Sequence, residues 1–312
     1  MKPIAIAFVL LTATSTFAAS PQAKRAVRRT AAPVVKTFDK PEQAADAFIE
    51  AADRFDIPAM QQLFGGKFKD VLLTSEPADD RRRAKEFVAK AREKHGVSID
   101  PKLRTRGFLL VGNEDWPFPI PIVKRGTKWS FDTVAGRREL LYRRVGSNEL
   151  DAITICRGYV EAQHEYALKK RQGYEVNQYA QRIISTPGKQ DGLAWQKADG
   201  SWDGPIGEKV ALAIQQGYGR NEPYHGYFFK VLKGQGPAAP LGRLDYVIKG
   251  AMIGGFALIA SPAEYGVTGV KTFIVSQDGV VYEKDFGRTT KIAFTRMDLF
   301  NPDKSWTPVN EE

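Results

Sequence analysis

An α+β fold is predicted: N-terminal helices on a small antiparallel sheet, then a long helix packed on a second antiparallel sheet. Three observations on the 312-residue chain predict it. Apolar residues recur at helical spacing within residues 39–95 and again within 148–171. Short runs of alternating β-branched and aromatic residues, closed by Gly, Pro and Asp, occupy 103–131 and 226–284. Hydrophobic residues make up 43% of the chain, enough for two ordinary domains with a core each. The expected organisation is a leader over 1–18, a basic linker over 19–37, an α+β domain over 38–146 and a second α+β domain over 147–312.

Residues 1–18, MKPIAIAFVLLTATSTFA, set one Lys before an apolar run and end on small residues. That is the pattern of a secretory signal peptide, with Thr16 and Ala18 suited to the cleavage positions. The mature chain is expected to begin at Ala19, to be periplasmic or secreted, and to contain no transmembrane helix, because no later stretch reaches ~18 consecutive apolar residues. Residues 21–36 mix Ala, Pro, Lys and Arg without periodicity and read as a flexible tether.

Asp39 and Glu42 have capping-box spacing around Pro41, and Ala44, Ala45, Phe48, Ile49 and Ala52 mark the buried face of the first helix. A short helix after Asp56 buries Met60, Leu63 and Phe64. A third, over about 79–95, carries the narrow stripe Ala84, Phe87, Val88 and Ala91 beside a wide basic face. Three strands are read in 103–131. Pro117, Pro119 and Pro121 alternate there, so their missing N–H groups would all fall on one side and block an edge strand against further pairing. A polyproline II ligand for a partner is the other reading of that run.

The long helix is expected over 148–171, about 35 Å in length, with Ile153, Cys156, Tyr159, Val160, Tyr166 and Ala167 on one face and a single Gln163 interrupting them. Cys156 reads as a small buried side chain, and a lone cysteine forms no internal disulfide. A loop containing TPGKQDGLAW follows, then a short helix from about Pro205 to Gln216, then the strands GYFFKVL, DYVIK, MIGGFALIA, VKTFIVS and VVYEK. Asp278-Gly279 predicts a two-residue hairpin turn with Val275 opposite Tyr282 and Gln277 opposite Val280. Its carboxylates lack the alternating donor spacing of a calcium loop.

PEQAADAFIEAADRFDIPAMQQLF and RGTKWSFDT resemble the frame of nuclear-transport-factor-like domains, which implies helices on a curved sheet. The later half resembles the globular head of type IV pilin-like and pseudopilin proteins in its order, and in Tyr227, Pro262, Gly266, Gly269 and Asp278-Gly279. Those proteins carry an N-terminal hydrophobic helix, whereas the helix here is polar outside and sits mid-chain, so the resemblance does not extend to filament membership. DWPFPIPIVK, FDTVAGRRELLYRRVGSNEL, YAQRIISTPGKQDGLAW, PYHGYFFKVL and IGGFALIASPAEYGVTGVKTFIVSQDGVVYEKD are similar to the bacterial family of domain of unknown function 2950. That resemblance implies an exported two-part protein and no assigned activity.

For chemistry, the three histidines are His95, His164 and His225. His225, between Tyr224 and a strand, is the candidate functional imidazole, with a structural role in stacking or bonding as the alternative. The candidate functional surface is His225, Tyr224, Glu264, Asp115 and Trp116. No nucleophile elbow, phosphate loop or metal-spaced His or Cys pair occurs in the sequence, so no catalytic residue, cofactor or metal is assigned. Glu114, Asp115, Asp132, Glu264 and Asp285 are the carboxylates a pair-based hydrolase would draw on.

Three functional classes follow. They are a noncatalytic envelope scaffold or binding module, a hydrolase of an envelope polymer acting through paired carboxylates, and an accessory of a secretion or pilus system. The net charge of +10, with one positive charge in the leader, suits an anionic lipid, lipopolysaccharide or wall polymer, or simply a solvated surface. Export disfavours nucleic acid.

Overall fold

The computed structural model describes residues 35–66, 68–73, 77–171, 175–207 and 223–310. The expected leader and most of the expected linker lie outside them, as does the expected helix near Pro205 beyond Gly207. The described chain is α+β, as its sequence predicts.

Helices α1 (Pro41–Asp53), α2 (Ile57–Phe64), α3 (Lys69–Leu72) and α4 (Pro77–Glu93) precede a sheet of β1 (His95–Ile99), β2 (Arg106–Val111), β3 (Trp116–Pro117), β4 (Ile122–Arg125) and β5 (Lys128–Phe131). The start of α1 is held differently from the capping box read at Asp39 and Glu42. The Gln43 carboxamide oxygen accepts from the backbone N–H groups of Asp39 and Lys40 at 3.1 and 3.2 Å, while the Asp39 carboxylate pairs with Lys128 at 2.6 Å. α2 begins as predicted, with Asp56 accepting from Ala59 N–H at 2.9 Å. Phe48, Phe64, Phe118 and Phe131 fill the core between helices and sheet, with ring centroids 4.5–6.4 Å apart.

The proline run is not a blocked edge. Strand order is β1-β2-β4-β5, with β3 also on β2, so β2 pairs with Trp116 and Pro117 and then with Ile122 and Val123. Five steps of chain from Pro117 to Ile122 oppose three on β2, from Leu110 to Gly107, and prolines suit the resulting bulge because it has little need of ladder donors. Phe118 N–H still donates to Leu109 at 2.7 Å, and Phe118, Ile120 and Ile122 are buried. The β5 edge is covered instead by residue 38, since Phe38 and Trp129 exchange both backbone hydrogen bonds.

Helix α5 (Thr133–Ala167) begins fifteen residues before the predicted start. At 35 residues it is roughly 50 Å long, and the predicted boundary between 146 and 147 falls inside it. Asp132 caps it, accepting from Ala135 N–H at 3.0 Å. Two clusters of buried residues flank the helix. One draws on residues 44–131 and the other on 152–306.

Beyond α5, β6 (Arg182–Ile184), β7 (Gly192–Gln196) and β8 (Trp202–Asp203) form a small sheet where a loop is predicted. Leu193, Ala194 and Trp195 are all buried there, so no polar alternation marks the strand. The main C-terminal sheet has the order β17-β16-β15-β14-β9 and is wholly antiparallel. It uses β9 (Tyr227–Leu232), β14 (Ala257–Pro262), β15 (Lys271–Ser276), β16 (Val281–Asp285) and β17 (Thr307–Pro308). Two-stranded ribbons, β10 (Gly234–Gln235) with β11 (Leu244–Asp245) and β12 (Val247–Ile248) with β13 (Ala251–Met252), lie between. α5 covers one face of the sheet. On the other, α6 (Thr290–Arg296) sets Phe294 against Phe228 and takes the Lys230 ammonium on the Phe294 carbonyl at 2.8 Å.

The β15–β16 hairpin is shifted by one residue from the predicted register. Val275 faces Val281 and Ile274 faces Tyr282, which leaves a three-residue loop. Gly279 N–H donates to Ser276 at 3.0 Å, and Gly279 alone of the loop takes positive φ, +77°. This is a type I turn closed by a glycine bulge. The shift buries Val281 and leaves Val280 39% exposed. Two consecutive positive φ values occur instead at His225 and Gly226, 47° and 74°, where Tyr224 and Tyr227 exchange backbone hydrogen bonds; that is the primed two-residue turn.

Gly279→Val is expected to destabilise by about 1–2 kcal/mol through its backbone alone, because a Cβ there meets nothing within 4 Å. Asp278→Asn should be neutral, since its Oδ1 acceptor of the Ser276 hydroxyl at 2.8 Å is retained. Thermal unfolding with and without calcium checks both. A calcium-dependent shift abolished by Asp278→Asn would instead make the turn a site.

Candidate functional site

The primed turn carries His225 out to α5. Its Nδ1 lies 2.7 Å from Asp151 Oδ2, and both side chains are just over two-fifths exposed. The Tyr224 ring stands edge-on to the imidazole at 4.5 Å, and partial burial, then the nearby Asp151 charge, push the Tyr224 phenol above its ordinary pKa. Gly226 is required by more than its φ: a Cβ would run into the Asn148 carboxamide.

That carboxamide donates to the Thr268 carbonyl at 2.8 Å. One residue on, Glu149 Oε1 accepts the N–H groups of Val270 and Lys271 at 2.8 and 3.0 Å. Asn148, Glu149 and Asp151 therefore fasten one turn of α5 to the 224–227 turn, to the loop over 263–269 and to the start of β15. Glu264 sits in that loop. Its N–H bonds to the Thr268 hydroxyl at 3.0 Å and its carbonyl accepts Thr268 N–H at 2.9 Å, while the adjacent Ala263 N–H donates to Gly226 at 3.0 Å. Tyr227 passes under Gly269 to donate its hydroxyl to Lys271 at 2.9 Å.

Of the five predicted surface residues, the fold thus brings together Tyr224, His225 and the Glu264 loop. Asp115 and Trp116 lie elsewhere, on the β2–β3 turn. Asp115 pairs with Lys94 at 2.8 Å, and Trp116 lies beneath the Arg143 guanidinium of α5, 5.6 Å from its ring centroid. Arg143 also donates to the Pro117 carbonyl at 2.8 Å. Of the carboxylates a hydrolytic pair would draw on, Asp132 caps α5 and meets Arg125 at 3.2 Å, while Asp285 accepts from Gly287 N–H at 2.7 Å and from the hydroxyl of Tyr265, the residue after Glu264, at 3.3 Å.

His95 and His164 are held as well. His95 opens β1, with Nδ1 2.7 Å from the Ala91 carbonyl, and His164 meets the rings of Phe256 and Tyr179 edge-on. Cys156 is fully buried, and burial pushes its thiol up to about 12, as a packing role requires. An apolar cavity of about 380 Å³ lies beside α5, lined by Gly158, Ala162, Leu193, Ile206, Phe229 and Tyr224; residues 208–222, which join Ile206 to Tyr224 in the chain, lie outside the described residues.

Sequence reading missed Asn148, Glu149 and Asp151. Asn148-Glu149 precedes the apolar stripe as an ordinary polar helix start, and nothing in its spacing tells which distant amides it meets.

These features define an α+β protein whose polar groups at the helix–sheet junction act as fastenings. The chain belongs to the family described as Protein of unknown function (DUF2950), whose model matches residues 35–309. No curated protein and no solved structure matches it, so the pilin-like and nuclear-transport-factor-like resemblances rest on the residues quoted for them.

Proposed function

We propose that the chain is an exported protein of the cell envelope, periplasmic or secreted, that acts without catalysis as a scaffold or binding module. The observation that carries the noncatalytic reading is the use made of the imidazole–carboxylate pair. His225 and Asp151 meet at 2.7 Å beside Asn148 and Glu149, and together these groups tie a tight turn and a strand to α5. A turn held in this way keeps a surface rigid for recognition. Export is supported by the Lys-plus-apolar pattern and small-residue boundary of residues 1–18. The partner is an envelope protein or an anionic envelope polymer, in keeping with the basic charge.

Two measurements test this. The N-terminus of the protein recovered from the periplasm is expected to be Ala19, and an uncut chain confined to the cytoplasm overturns export. Affinity capture from the protein's own envelope is expected to retain an envelope component with the wild type and less of it with His225→Asn, which loosens the turn from Asp151. Turnover of an envelope polymer by the purified protein, lost in His225→Asn at unchanged melting temperature, would make it a hydrolase.

A further inference from the structure

Acidic and basic residues balance over 147–312; of the net +10, six charges lie in residues 1–36 and four in residues 37–146. Within the N-terminal sheet the basic side chains gather at one end. β1 and β2 are joined there by residues 100–105, and β4 and β5 by 126–127. The two connections touch, since Lys124 N–H donates to the Thr105 carbonyl at 2.8 Å. Lys102, Arg104, Arg106, Lys124, Arg125 and Lys128 all lie on this end. Arg125 and Lys128 are matched by Asp132 and Asp39. Lys102 and Arg104 are exposed at the loop tip and Lys124 lies over the Trp129 ring at 5.9 Å, whereas Arg106 is half-buried over the Phe108 ring at 4.9 Å and its charge acts on Asp100. Asp100, the acidic residue of the loop, points its Oδ1 inward onto the N–H groups of Lys102 and Leu103 at 2.8 and 3.1 Å, and those bonds hold its pKa below the ordinary value.

The Asp100 bonds shape the loop tip. Arg104 is turned into the left-handed region, φ 50°, and Leu103 stands between the two cations 58% exposed. An apolar side chain held out at a loop tip gains nothing from water and nothing from a soluble polyanion. It gains from entering the headgroup boundary of a bilayer, where the flanking cations meet lipid phosphates.

We propose that this end of the N-terminal sheet is a docking site for an anionic lipid surface, with Leu103 entering the interface and Lys102, Arg104 and Lys124 binding lipid phosphates. The proposal deepens the binding-module reading and rests on export for the membrane met in the cell. Vesicle binding is measured on purified protein, so its failure and the failure of export are read separately.

The test is sedimentation of the protein, as recovered from the cell, with vesicles of phosphatidylglycerol and phosphatidylethanolamine, against vesicles of phosphatidylcholine alone. Binding is expected only to the anionic vesicles and should weaken as salt is raised. The combined variant Lys102→Gln, Arg104→Asn, Lys124→Gln should bind on the order of 100-fold more weakly; Asn suits the positive φ at 104. Leu103→Ser should lose roughly tenfold on vesicles while binding soluble polyphosphate as the wild type does. Wild-type vesicle binding by the combined variant at unchanged melting temperature overturns the site. Equal vesicle binding by Leu103→Ser overturns the membrane in favour of a soluble polyanion.

Discussion

Gln163→Leu is expected to lower the melting temperature of the C-terminal core sharply, although it replaces a polar side chain in an apolar stripe by an apolar one. Gln163 is fully buried. Its carboxamide nitrogen donates to the Tyr159 hydroxyl and to the Ala180 carbonyl, both at 2.8 Å, and its oxygen accepts from Ala180 N–H at 2.8 Å. One side chain thus satisfies both backbone groups of a buried residue in the segment leading to β6. Leucine would leave them without partners, at roughly 1–3 kcal/mol for each. A total on the order of 3 kcal/mol is a fall of about 6–12 °C for a unit of this size. Thermal denaturation followed by near-ultraviolet circular dichroism, which sees the Tyr159 and Tyr166 environments, measures it. A Gln163→Leu protein that melts at or above the wild-type temperature would show that the apolar gain outweighs the three hydrogen bonds.

The same residue shows what was legible in the sequence. The period that places Cys156, Tyr159 and Tyr166 on one face also marks Gln163 as the exception, because burial follows helical spacing whatever the side chain. Its partner, Ala180, was not legible, since a hydrogen bond across seventeen residues leaves no periodic trace. Strands β9, β14, β15 and β16 were readable from alternation and turn residues. β7 was not, because a strand buried on both faces loses its polar alternation, and here it is flanked by Thr-Pro-Gly. β1 was hidden in a short stretch directly after a charged helix. The one-residue slip at Asp278-Gly279 was decided by which of two adjacent valines enters the core, and an Asp-Gly pair serves either loop length.

For the candidate site, the sequence offers His225 as an imidazole beside Tyr224, but its Asp151 partner lies 74 residues away and leaves no local trace. Asp115 and Trp116 were drawn to the same surface by residue type alone. The fold keeps them on the other sheet, since α5 separates the two clusters along its length.

The length of α5 was the largest misreading, and its cause yields the second prediction. Residues 137–147 show no apolar face because most of them lie between the two cores rather than against one, and Tyr142 is 66% exposed there. The helix is anchored just before that stretch by Gly136, which is buried against the proline bulge. A Cβ on Gly136 would come within 2.6 Å of Ile120 Cγ1 and 2.9 Å of Ile120 Cα. The Ile120 backbone has little room to retreat, because Phe118 and Ile122 on either side are locked to the sheet and Asp132 N–H holds the Pro121 carbonyl at 2.9 Å. Gly136→Ala should therefore destabilise by roughly 2–3 kcal/mol despite alanine's better helix propensity. Ten residues on, a Cβ at Gly146 meets nothing within 4 Å, and the same change there should stabilise by about 0.5–1 kcal/mol. Urea denaturation of the two variants beside the wild type isolates packing from propensity, since the propensity gain is common to both. Effects of the same sign at the two glycines would mean that α5 does not seat on the proline bulge at Ile120.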